Sequence, residues 1–209
     1  SRNTDFSGSR WYFFLEEMQT AKGMGVDPYY LMDRQAERAP IGANRLVYLP
    51  YLMGERSPKL DSDCRGVFFG LSAMHTKYDM LRAVMEGVIY SQRECLDILR
   101  GMGVVSSEML ACGGGGSSPM WRQMMADVYN LPVKTVVSKE GPALGVAILA
   151  GVGAGIYPSV AEACRKVVKT NPAQAPIPEN TGRYEEFLPC LLRPVSSAEG
   201  LLQGAGRHV

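Results

Sequence analysis

Four consecutive glycines, Gly113 to Gly116, followed by Ser117, Ser118 and Pro119, are the residues whose types and spacing most directly suggest chemistry. Without β-carbons the backbone can take positive φ, and a ligand can lie directly against it. Ser117 or Ser118 can serve as an N-cap and Pro119 suits the first helical position. Beyond it Met120, Met124 and Val128 recur at helical spacing, with Trp121 alongside. A glycine turn feeding a helix N-terminus gathers unpaired N–H groups and the positive end of the helix dipole, which suits an anion. The same glycines could instead serve only to pack the helix tightly on the preceding strand. A P-loop is ruled out, because the run closes Gly-Ser-Ser with no lysine before Lys134. A dinucleotide fingerprint puts Ser118 or Pro119 where its third glycine belongs, depending on whether it starts at Gly113 or Gly114. Glu140 could supply its acidic residue, so NAD remains a competing ligand.

Other chemistry-bearing residues have plain structural readings beside the functional ones. Glu55 and Arg56 could face a cleft or form an ion pair that fixes their loop. Asp61 and Asp63 resemble a metal pair, but a solvated turn accounts for them better. His75 has no nucleophile or carboxylate at a telling spacing. Glu86 reads as a hydrogen-bonded helix residue and Glu140 as a helix cap, while Trp121 and Arg122 could lie by a nucleotide or simply pack their helix. Cys64, Cys95, Cys112, Cys164 and Cys190 include no CxxC pair and are joined only by His75 and His208, which argues against a zinc site and for a reducing, cytoplasmic setting.

At 209 residues, 46% hydrophobic and 21% charged, the chain suits one good-sized soluble domain. A net charge of +1 with interspersed signs gives no basic stripe, so neither nucleic acid nor an anionic membrane is an expected partner. The longest apolar run, Pro142 to Ile156, is too short and glycine-rich to span a bilayer, and SRNTDFSGSR is no signal peptide.

The elements around the glycines follow from periodicity. Helical patterns run from Phe6 to Met18 and from Pro28 to Ala39, with a break over Lys22 to Asp27. Strands are expected at Leu46 to Leu49 and Gly66 to Leu71. A long core helix should run from Lys77 to Arg100 with Thr76 as N-cap. Strand Glu108 to Cys112, the glycine turn, a helix from Pro119 stopped by Asn130, and strand Val133 to Val137 make a parallel crossover unit. Glu140 to Gly155 is a small-residue helix, and Ser159 with Glu162 opens another. Asn171 to Asn180 holds three prolines and reads as a linker, and Arg183 to Phe187 begins a last helical pattern. Residues 1–190 are expected to form the domain, and 191–209 an atypical, disordered tail.

Three segments together resemble the C-terminal domain of the FGGY carbohydrate kinases, in particular the branch that phosphorylates D-xylulose. They are YLPYLMGERSP (Tyr48 to Pro58), GVFFGLSAMHTKYDMLRAVMEGVIY (Gly66 to Tyr90), and the glycine segment Gly113 to Val133 followed by EGPALGVAILA (Glu140 to Ala150). The resemblance implies an α/β, actin-like (RNase H-like) ATPase lobe, incomplete at its N-terminus, with ATP and Mg²⁺ bound in a cleft between two lobes and a ketose phosphorylated on a primary hydroxyl. It implies that Gly113, Gly114 and Ser117 hold the adenosine part of ATP, which moves the glycine turn away from the transferred phosphate, and that Gly8 lines the nucleotide site. It places the catalytic aspartate upstream of Ser1, with most sugar contacts in the other lobe, so that the fragment alone would be inactive. Apolar surface left by that lobe could support a homodimer. A regulatory module that keeps the lobe without chemistry is the alternative.

Overall fold

A computed structural model describes residues 15–137 and 141–187. Helix α1 spans Leu15–Met24 and continues past Lys22, beyond the expected break. Helix α2, Pro28–Ala36, is opened by Asp27, whose side chain accepts from the Tyr29 amide at 2.8 Å. Its proline at the first position costs no hydrogen bond there. The Gly8 position and the disordered-tail expectation lie outside the described residues, as does Glu140.

The organising element is α3, Lys77–Gly101. The carboxylate of Asp79 accepts from the Thr76 amide at 2.8 Å and so closes the helix start. One side of α3 packs on β1 (Val47–Leu49), another on α5 (Pro119–Tyr129), and its first half on α2. The approach to β1 is close because Gly87 faces it. A β-carbon there would sit 2.1 Å from the carbonyl oxygen of Tyr48. Strand β1 pairs antiparallel with β2, Val67–Phe69, in the register Tyr48 opposite Phe68.

The crossover unit forms as the periodicity implies. Strand β3, Met109–Ala111, pairs parallel with β4, Val133–Thr135, Leu110 opposite Lys134, with α4 (Gly113–Ser117) and α5 between them. The expected linker after Asn171 is instead part of the sheet. Its residues zip antiparallel along the other edge of β4, with Asn171 N donating to Thr135 O at 2.8 Å, and Val133 and Gln174 exchanging bonds at 2.9 Å. The last helix among the described residues, α8, is in place over residues 178–187, earlier than expected. Its start is held from outside by Asp127 of α5, which accepts from the Ile177 amide at 2.7 Å and from Asn180 at 2.9 Å.

The core lies between α3, α5 and the strands, with Leu49, Ile89, Leu96, Met124, Val128, Tyr129 and Val133 buried together. Helix α6, Gly141–Gly153, is different. It packs with α7, Val160–Val167, and leaves Val146 and Leu149 exposed, only Ile148 and Gly151 being buried. No helix among the described residues is long and apolar enough to cross a membrane.

Candidate functional site

Where a plain loop was expected, the glycines wind into a turn of helix. Cys112 is still extended, Gly113 swings the chain over with φ +76, and residues through Ser117 form α4. Ser118 is extended again and caps α5, its hydroxyl accepting from the Trp121 amide at 3.0 Å. The four glycines divide into two pairs. A β-carbon on Gly115 would lie 2.6 Å from the Trp121 ring, and one on Gly116 would lie 3.0 Å from the Ala111 carbonyl oxygen. At Gly113 and Gly114 it would meet nothing within 4 Å. The inner pair therefore exists for packing, and the outer pair leaves bare backbone facing solvent. Ser117 is exposed beside it.

Trp121 and Arg122 belong to the packing side. The Trp121 indole donates to the Met85 carbonyl at 3.2 Å and ties the turn to α3. Arg122 donates to the Gly116 carbonyl at 2.6 Å and to Gln174 at 2.7 Å, and Gln174 in turn reaches the Pro119 carbonyl at 3.1 Å. The turn is thus gripped from beneath by α3, α5 and the strand-like segment at Gln174.

Asp33, half-buried on α2, has its carboxyl pushed above its ordinary value by burial, against the pull of the Ser118 side chain.

The remaining candidates resolve into structural roles. Glu55 is buried and does fix its loop, but through amides: it accepts from Ser57 N at 2.7 Å, Lys59 N at 2.7 Å and Leu60 N at 3.1 Å. Asp61 accepts from the Asp63 amide at 2.8 Å, a turn within the same loop. Among the described residues no three metal-ligating side chains converge. His75 clasps its own loop, accepting from Ser72 N at 2.9 Å while its other ring nitrogen lies 3.2 Å from the Asn44 carbonyl. Glu86 is enclosed. It accepts from Arg82 at 2.7 Å, from the Gly42 amide at 3.1 Å and from the Tyr184 hydroxyl at 3.1 Å, and Arg82 also reaches Tyr184 at 2.9 Å and the Ala39 carbonyl at 2.9 Å. Burial pushes the Glu86 carboxyl up against the pull of Arg82.

Residues 8–154 match the family model described as the FGGY family of carbohydrate kinases, C-terminal domain. A xylulose kinase of Staphylococcus epidermidis is 39% identical over 152 residues, 73% of this chain and 31% of that protein. A gluconokinase of Bacillus licheniformis is 36% identical over 193 residues, 88% of this chain and 36% of that protein. Among solved structures, a ligand-bound xylulose kinase from Lactobacillus acidophilus superposes with a TM-score of 0.77 at 27% identity, over 88% of this chain and 38% of that one. The chain spans about a third of the length of the curated relatives it matches.

Proposed function

The chain belongs to the FGGY family of carbohydrate kinases, as an α/β, actin-like C-terminal lobe, and from that membership we propose that it is the nucleotide-binding wall of an ATP-dependent ketose kinase. The observation that carries the proposal is the pair of open glycines, Gly113 and Gly114, presented by a turn whose other two glycines are locked into the core. Gly113, Gly114 and Ser117 would hold the adenosine, with Gly8 as a further contact. In the whole kinase, ATP would supply the phosphoryl group and Mg²⁺ would supply charge neutralisation for its transfer to a sugar hydroxyl. What this chain's residues do is position: the open backbone of Gly113 and Gly114 offers the nucleoside a floor with no side chain in its way. Phosphoryl transfer depends mostly on such positioning and on charge stabilisation between closing walls.

D-Xylulose is the proposed sugar. The gluconokinase relative aligns over more of this chain than the xylulose kinase does, which favours gluconate as the second reading. Fusing the upstream part of the Staphylococcus enzyme to this chain and measuring ADP release tests both: turnover on ketoses supports the proposal, and turnover on gluconate alone selects the alternative. Titration of the chain with ADP and with NAD, followed by amide NMR shifts, tests the site. Preference for NAD would overturn it.

A further inference from the structure

Resting on the nucleotide reading above, we propose that Arg122 is a positioning residue for the nucleotide floor and that Gln174 aims it: together they hold the Gly113–Ser117 turn in its binding shape without touching the ligand. The turn needs such help. Glycine loses more chain freedom on ordering than any other residue, and a helix of five residues cannot secure itself. A floor that had to order itself at each encounter would bind weakly, because the ordering cost is subtracted from the affinity.

The hold is applied at the far end of the turn from the open pair. A β-carbon at Gly113 or Gly114 would meet nothing within 4 Å, whereas the Gly116 carbonyl accepts from Arg122 Nη1 at 2.6 Å. Packing of Gly115 on Trp121 and of Gly116 on the Ala111 carbonyl limits how closely the turn can approach the core. A hydrogen bond from a guanidinium also sets its orientation. Arg122 Nε donates to Gln174 Oε1 at 2.7 Å, and Gln174 Nε2 donates to the Pro119 carbonyl at 3.1 Å. A guanidinium only donates and a carbonyl only accepts, so a single orientation of the Gln174 amide satisfies both neighbours, and that orientation fixes the guanidinium. Gln174 is itself anchored, its backbone exchanging two bonds of 2.9 Å with Val133 of β4. The path of restraint therefore runs from the sheet through Gln174 and Arg122 to the turn. Gln174 lies beyond residues 8–154, the stretch that matches the family model.

The test needs no catalysis. The 209-residue chain, R122A, R122K and Q174A are titrated with ADP and with adenosine, affinities are read from amide NMR shifts of the folded molecules, and urea unfolding is measured alongside. R122A should bind both ligands about tenfold more weakly, the scale of a hydrogen bond from a charged group. Q174A should weaken both about threefold, and in the R122A background it should add less than about twofold, because it acts through Arg122. R122K, whose ammonium reaches one acceptor but cannot fork between two, should fall between R122A and the unaltered chain. A merely structural Arg122 would lower the urea midpoint and leave the affinity of folded molecules unchanged, which overturns the inference. A loss confined to ADP overturns it too, since that would put the guanidinium on the phosphates. If R122A folds poorly, Q174A decides alone, and unchanged affinity for both ligands sinks the idea. Absence of any nucleotide binding to the unaltered chain would overturn the nucleotide reading and this inference together, whereas binding that R122A and Q174A leave intact overturns the inference alone.

Discussion

The seam around Glu86 and the glycine turn are built in opposite ways. Glu86 sits between α3, α8 and the Gly42 turn, its Oε1 accepting from Arg82, Tyr184 and a backbone amide. Gly113 and Gly114 leave exposed backbone, with no atom within 4 Å of where a side chain would begin. An enclosed and paired carboxylate acts on the fold, and bare backbone on a supported turn can act on a ligand. The family-like sequence around Glu86 therefore reports how the lobe is built, and the outer glycines lie where binding would occur.

Breaking the enclosed side should have the largest effect. Glu86→Ala leaves the buried Arg82 guanidinium without its counter-charge, at a cost of about 3–5 kcal/mol. Urea unfolding of the variant beside the unaltered chain measures this. The molecules that stay folded should bind ADP as before, since nothing at the glycine turn has changed. An unfolding midpoint unmoved by the substitution would show that the seam is not the structural half of the molecule.

Gly115→Ala tests the boundary between the two regions. Its methyl would enter the Trp121 ring, 2.6 Å away, and the ring is itself tied to α3 through the Met85 carbonyl. Displacing it should cost about 2 kcal/mol. Here stability and ADP affinity should fall together, because the inner glycines hold up the floor made by the outer ones. Loss of stability with affinity untouched would separate the floor from its support.

Much of this arrangement was legible in the sequence, and the rest was hidden for definable reasons. Thr76 and Asp79 at the start of α3 announce it locally, and Asn130 ends α5 in the left-handed region with φ 51, ψ 46, as its position before Leu-Pro suggests. The segment from Asn171 misled because Pro172, Pro176 and Pro178 lack amide hydrogens. The bonds to β4 are made by Asn171, just before the first of them, and by Gln174, between the first two, so the prolines cost the pairing nothing. The division of the glycines could not be read from GGGG at all, since it depends on where the Trp121 ring and the Ala111 carbonyl come to lie.

A smaller effect comes from pH. Burial tends to raise the Asp79 carboxyl, but hydrogen bonds from the Thr76 amide, the Thr76 hydroxyl and Asn44 more than offset this and hold it below its ordinary 3.8. A carboxyl lowered by folding contributes stability that is complete above its unfolded value and is lost as pH falls through the folded one. Unfolding measured from pH 7 downwards should therefore show stability draining below about pH 4. Asp79→Asn should lower stability by about 1 kcal/mol at neutral pH and flatten that acid limb. An acid limb equally steep in the variant would assign the loss to other carboxyls.

The smallest expected change in stability is the most informative one for function. Gly114→Ala adds a methyl where nothing stands within 4 Å, at a helical position that does not require positive φ. Alanine is favoured over glycine inside a helix by up to about 1 kcal/mol, so the variant should unfold at the same urea concentration as the unaltered chain or slightly higher. The methyl projects into the space assigned to the nucleoside, and ADP affinity should drop even as stability holds. Gly115→Ala, one residue away, loses both. If Gly114→Ala instead binds ADP as well as the unaltered chain does, the open glycines are not the floor of the site, and the contrast between an outer binding pair and an inner packing pair fails at its most direct point.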